Sequence, residues 1–221
     1  MVSFYIDKAL KEKCPNISLS CIQANVRVFD SENKLKEITD AKACEILKSL
    51  KMENISRLQA IADARKAYRA CGKDPARYRL SAEALLRRVV SGKGLYRINN
   101  VVDLLNLVSI STGFSIGGYD ADRIVGNICM GIGQAGEPYQ GLGRGALNIE
   151  RMPVFRDESG AFGTSTSDSV RTGVNEETRE FLMVIVSYGV NEKLSAAQTM
   201  AVQLLADFVE GEQFETEIIH F

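Results

Sequence analysis

The chain holds one histidine, His220, next to its last residue. A Ser/His/Asp or Cys/His catalytic group needs an imidazole held in a rigid setting, and here it would rest on a residue expected to fray. Multi-histidine metal sites are excluded. Two-carboxylate, lysine-based and substrate-assisted chemistry remain, together with whatever backbone N–H groups can do. The five cysteines (Cys14, Cys21, Cys44, Cys71 and Cys129) are odd in number and never spaced C-x-x-C. They read as reduced thiols, mostly small core residues of a cytoplasmic protein. No metal or cofactor is expected.

Three runs have the composition of a ligand site, and each has a plainer reading. Gly131-Ile132-Gly133-Gln134-Ala135-Gly136 spells G-x-G-x-x-G after an expected strand. A dinucleotide site needs a helix to begin there, and Glu137-Pro138-Tyr139-Gln140-Gly141 starts a helix poorly, so a glycine-rich strand and turn is expected instead. Gly117-Gly118 in Gly117-Gly118-Tyr119-Asp120 would let the backbone approach a ligand and aim N–H groups at it, or simply form a tight turn. Thr164 to Thr172 is dense in hydroxyls, with Ser167, Asp168 and Arg171 among them. It reads either as a polar rim with one cation for a carboxylate or phosphate, or as an exposed loop. Glu176-Glu177-Thr178 is expected to be turn or capping chemistry.

Charge is unevenly distributed. Residues 57–97 carry eleven basic side chains against Asp63, Asp74 and Glu83, a net of +8, whereas residues 176–221 have a net of −7. The whole chain, with 27 basic and 28 acidic side chains, has a formal charge of −1. A basic block attracts phosphate chains through counterion release, with Arg77, Arg79, Arg87, Arg88 and Lys93 as the candidate contacts; a solvated helical face is the plainer alternative.

These groups need elements to hold them. With 221 residues, 45% apolar and 25% charged, one core can bury roughly 70% of the unfolded surface without staples. No signal peptide is expected, since Asp7, Lys8, Lys11, Glu12 and Lys13 interrupt the opening stretch, and no apolar run reaches a membrane span. Apolar alternation from Ile17 to Val28 predicts a strand, and its change of phase at Cys21-Ile22 predicts a bulge or break. Helical spacing runs from Glu37 to Cys71 on two faces, with Gly72 as a stop. Ser81 is expected to cap a helix ending at Gly92 and Gly94.

Asn100 to Ile110 is apolar almost all round, hence buried. Asn99, Asp103, Asn106 and Ser109 form a polar stripe along it, either a pocket wall or an internal network. The 13 glycines between Gly113 and Gly173 suggest strands and loops. Strands are expected at Asn127–Ile132, Arg151–Arg156, Phe181–Val186 (central and buried) and Phe214–Ile219 (an edge). A helix capped by Ser195 is expected through Phe208. Early helices and late strands predict an α+β fold in a single domain.

In order, Asp74-Pro75-Ala76-Arg77-Tyr78, Ser81 to Arg88, Ile98 to Asn106, Gly117-Gly118-Tyr119-Asp120, Asp122-Arg123-Ile124, Gly136-Glu137 and Gly173 to Thr178 resemble the B3/B4 domain of the phenylalanyl-tRNA synthetase β-chain. Free-standing proteins built from that domain alone are the better match. The resemblance covers about residues 55–190, with the flanks 1–54 and 191–221 expected to complete the same 1–221 unit. It implies a layered β-sandwich with flanking helices. It also implies an editing module that hydrolyses tyrosine wrongly attached to the phenylalanine tRNA, with a pocket beside the Asn99–Ile110 helix. The family carries a His where Gly117 stands, and the glutamate that reads the tyrosine hydroxyl falls near Val170.

The expected function is therefore directed at aminoacyl-tRNA, as a binder or as a deacylase acting in trans; full tRNA ligation is excluded. Asn99, Asn106, Gly117, Gly118, Asp120, Glu137, Ser167, Asp168 and Arg171 are the expected substrate contacts. Asp120, or else Glu137, would meet the α-ammonium, and Arg171 the terminal ribose-phosphate. The alternative is a non-catalytic binder of a free amino acid or nucleoside. Neither DNA nor a membrane is an expected partner.

Overall fold

The computed structural model describes residues 2–190 and 192–221. The first of two four-stranded sheets runs in the order β1 (Phe4–Ile6), β4 (Ile128–Ile132), β7 (Pro153–Asp157), β8 (Gly160–Thr164), with β1 parallel to β4 and the rest antiparallel. The second, antiparallel throughout, runs β10 (Glu212–His220), β2 (Ser18–Asn25), β9 (Glu180–Ser187), β3 (Ser115–Asp120). A short hairpin joins β5 (Gln140–Gly141) to β6 (Gly145–Ala146). The helices are α1 (Lys8–Lys13), α2 (Asn33–Ser49), α3 (Gln59–Cys71), α4 (Ser81–Val90), α5 (Asn100–Thr112) and α6 (Lys193–Phe208).

The second sheet is the shared wall of two cores. From β9, Leu182, Val184 and Val186 enter a core completed by Met130, Phe155 and Phe162 of the first sheet and Tyr68 of α3. Phe181, Met183 and Ile185 point the other way, against Leu104 and Val108 of α5 and Ala201 and Leu205 of α6. Sheet, sheet and helices thus form the expected α+β layered sandwich. β1, β2, α6 and β10 all lie outside the segment 55–190 and are built into these same layers.

This double burial corrects the reading of β2. The strand pairs with β9 without interruption from Ser18↔Ser187 to Asn25↔Glu180, and no bulge occurs at Cys21-Ile22. Leu19 and Cys21 enter the first core while Ile22 and Ala24 enter the second. A strand buried on both faces has no obligatory alternation. The register shift in this sheet lies in β10, between Glu212 and Glu215, where Gln213 adopts φ 52°.

Three helix expectations also change. The periodic stretch begins at Asn33 rather than Glu37, and a 3-10 turn, Met52–Arg57, divides α2 from α3. Leu80, not Ser81, occupies the N-cap of α4, with no side-chain cap. The Ser81 N–H instead donates to the Ser165 carbonyl at 2.8 Å, tying the helix start to the segment after β8. Ser195 lies inside α6, its carbonyl accepting from Thr199 Oγ1. Gly72 ends α3 as expected, with φ 89° and its N–H on the Arg69 and Tyr68 carbonyls. No helix follows the G-x-G-x-x-G run: a Cβ at Gly133 would collide with the Ile149 carbonyl, and the next element is β5.

Candidate functional site

Helix α4 supplies the first wall of the candidate site. Ala82, Leu86 and Val89 face inward, and Glu83 is buried with them. A buried carboxylate is tolerated only when paired. Glu83 accepts from Arg65 Nη1 at 2.7 Å and from Arg87 Nε at 3.0 Å, which fixes Arg87 one turn along the helix. After α4, Gly92 and Gly94 take φ 75° and 61° and turn the chain back. The Lys93 carbonyl thereby accepts from Arg88 Nη2 at 3.3 Å, and the Tyr96 ring lies 3.8 Å from the Arg88 guanidinium carbon. Arg88 Nε is sealed from solvent with no hydrogen-bond partner.

These residues border a groove of about 450 Å³. Arg79, Arg87, Arg88, Lys93 and Arg144 line it, with Tyr96, Asn106 and Thr166, and among the described residues no carboxylate lines it. Four of the five expected basic contacts therefore come together. Arg77 does not join them; it stands by Tyr78, whose ring also carries Lys73 Nζ at 3.8 Å. Lys73 in turn donates to the Asn148 and Glu150 carbonyls, so part of the basic block is structural.

Sequence reasoning missed Arg144, Tyr96 and the groove role of Thr166. Arg144 sits in Gly141-Leu142-Gly143-Arg144-Gly145, and only the β5–β6 hairpin brings it to α4. Tyr96 had a local signal in the two glycines that precede it.

The polar stripe of α5 divides. Asn99 caps the helix, accepting from the Val102 N–H at 2.9 Å. Asp103 accepts from Ser31 Oγ and the Ile98 N–H, and Ser109 donates to the Phe114 carbonyl. Asn106 reaches the groove. The stripe is thus an internal network with one residue on a pocket wall.

A second polar cluster lies along the edge of β3 away from β9. The Gly118 N–H points at Asp168 Oδ2 over 3.4 Å, and Asp168 Oδ1 is sealed without a partner. Burial pushes the Asp168 carboxyl up to about 7, against the lowering effect of Tyr119 and the Gly118 N–H. The Tyr119 hydroxyl lies beside it, fully enclosed and with no partner that meets hydrogen-bond geometry. It occupies the space that a Cβ at Gly117 or Gly163 would need. Gly117 and Gly118 are therefore not a turn but a strand whose missing side chains admit Tyr119, Leu105 and Phe181. Ser167 is held through its carbonyl, which accepts from Tyr139 Oη at 2.6 Å and Thr164 Oγ1 at 2.9 Å.

The remaining charged candidates are engaged elsewhere. Arg171 makes a bidentate pair with the buried Asp157, at 2.7 and 3.0 Å, and also donates to the Arg123 and Gly160 carbonyls. The structure thus corrects its reading as a free cation on a loop rim. Glu137 is clamped by Arg156, with Nη2 at 2.6 Å from Oε2. Burial alone would raise the Glu137 carboxyl, but Arg156 and the Gln134 N–H hold it below its ordinary value. Asp120 Oδ2 accepts from Thr178 Oγ1 and pairs with Arg123, while Oδ1 is buried without a partner. Asp120, Glu137 and Arg171 thus each have their own ion-pair partner, apart from Asn106 in the groove.

The model of the B3/4 domain matches residues 63–208, so the chain belongs to the B3/4 domain family. Among curated proteins it is similar to the phenylalanine–tRNA ligase beta subunit of Bartonella henselae, 33% identical over 117 residues, covering 52% of this chain and 14% of that one. The beta subunit of Bartonella quintana is 30% identical over 125 residues, 55% of this chain and 15% of that one. The chain therefore spans only a small fraction of these relatives. A crystal structure of an N-terminal fragment of the phenylalanyl-tRNA synthetase beta subunit from Pyrococcus horikoshii shares the fold, with a TM-score of 0.51 and 17% identity over 96% of this chain and 50% of that one. Among the described residues no helix is long and apolar enough to cross a membrane.

Proposed function

We propose that this chain is an RNA-binding domain that receives the acceptor end of a tRNA, charged with its amino acid, in the groove beside α4. The observation that carries this reading is the convergence of Arg79, Arg87, Arg88, Lys93 and Arg144 on one groove with no carboxylate among the described residues of its lining. Such a site suits a polyphosphate chain, whose bound counterions are released on association. The names of the similar curated proteins, ligases for phenylalanine and tRNA, supply the RNA. The five free thiols suit a cytoplasmic setting.

Deacylation in trans is the stronger form of the same reading. Ester hydrolysis needs a positioned water, oxyanion donors and a base. The groove lining holds no carboxylate among the described residues, so the attacking water would be oriented by the substrate's own ribose 2′-hydroxyl beside the ester. Filter binding and ester decay with a panel of correctly and wrongly charged tRNAs test both forms. Binding is expected to weaken as salt rises, and faster ester decay for some mischarged pair would add the hydrolytic role. Absence of salt-dependent binding to any tRNA would overturn the reading. If a free amino acid or nucleoside raised the melting temperature while RNA did not, a small-molecule binder would replace it.

A further inference from the structure

Tyr96 is 57% exposed, so much of its ring surface is open to a partner. One face is occupied by Arg88, 3.8 Å from the ring centre. That guanidinium is itself fixed by the Lys93 carbonyl. The Gly92 and Gly94 turns set the ring at the border of the groove, next to four further cations. A guanidinium stacked on a ring draws on its π-electrons and holds it rigidly, so the ring loses little freedom when a second flat group lands on its open face.

We propose that the open face of Tyr96 is a stacking platform for one unpaired nucleobase, so that the groove selects single-stranded over double-stranded RNA. The inference rests on the RNA-binding reading and adds to it the class of RNA and the residue that selects it. The cations track the phosphates; Tyr96 takes a base that a duplex would keep in its own stack. Asn106, on the same groove, is placed to meet the edge of a base with its amide. Stacking on an aromatic side chain is sequence-tolerant, because every base has a π-face.

The test compares the full-length protein and its variants on three fluorescently labelled probes: a short single-stranded RNA, an abasic ribose-phosphate strand of the same length, and an RNA duplex. Wild type is expected to bind the single strand most tightly. Tyr96→Ala is expected to weaken the single strand by roughly ten-fold or more while leaving the abasic strand unchanged, and Tyr96→Phe and Tyr96→Trp to retain binding. An unchanged melting temperature in Tyr96→Ala would show that the fold is intact. Equal loss on the base-bearing and abasic strands would mean that Tyr96 only positions Arg88, and would overturn the platform while sparing the RNA reading. No loss on either strand would do the same, as would preference for the duplex. Failure of wild type to bind any of the probes would overturn both.

Discussion

Arg171 and Asp168 show two opposite effects of enclosure on a charged group. In the sequence both sit in one hydroxyl-rich run and look alike as candidates. Arg171 faces Asp157, whose side chain has no exposed surface. Arg171→Ala removes the ion pair and leaves that carboxylate on the Val125 and Ser159 N–H groups alone, and the expected loss is about 1.5–3 kcal/mol in urea unfolding at neutral pH. Burial alone would raise Asp157; its bonds to Arg171 and the Val125 N–H keep it low, so the pair persists across neutral pH.

Asp168 behaves in the opposite sense. Its folded-state value of about 7 lies above the roughly 3.9 of an unfolded aspartate, so between these values the native state binds the extra proton. Its contribution to stability is complete below pH ~4 and is lost as pH rises through ~7. Asp168→Asn should therefore gain melting temperature relative to wild type as pH goes from 5 to 8, by calorimetry at matched ionic strength. A constant difference across that range would contradict the assignment. Gly117 adds a steric test: Gly117→Ala places a Cβ on the Tyr119 hydroxyl and should cost about 1–3 kcal/mol of stability. None of these roles could be read from the sequence, because each depends on which distant strand a side chain meets.

At the level of elements, α4 and the β5–β6 hairpin form the groove, and they differ in how visible they are in the chain. The basic block around α4 is local in the sequence, and its charge count alone points to Arg79, Arg87, Arg88 and Lys93. The hairpin is two short strands among many glycines, and its pairing of Gln140 with Ala146 has no periodic signal. Arg144 was therefore hidden. If the groove binds RNA, Arg144→Ala should weaken binding and lower the slope of log affinity against log salt by about 0.7, the increment for one phosphate contact on a single strand. Arg77→Ala, outside the groove, should leave the slope unchanged. In β2 the change of phase at Cys21-Ile22 predicts a bulge or break, whereas the two phases are two faces of one uninterrupted strand committed to two cores; the FLMVIV stretch of β9 shows its burial because every position in it is apolar.

On the scale of the whole molecule, the small net charge conceals a strongly basic stretch, residues 57–97, four of whose side chains share one groove. A basic groove on such a molecule should associate with RNA faster at low salt, with ionic strength acting mainly on the on-rate in stopped-flow measurements. Layering also links regions that are far apart in sequence. β2 and β9 contribute alternate side chains to the cores on either side of their sheet, so neither core can open without exposing the wall of the other. The two halves should therefore not unfold in separate steps: amides of β2 and β9 should be the last to exchange with deuterium, and only at the rate of global opening. Cutting the chain after residue 190 would remove α6 and β10 together. The second core would then stand open along its length, and a fragment ending at residue 190 should behave as a molten, aggregation-prone species rather than a smaller folded domain.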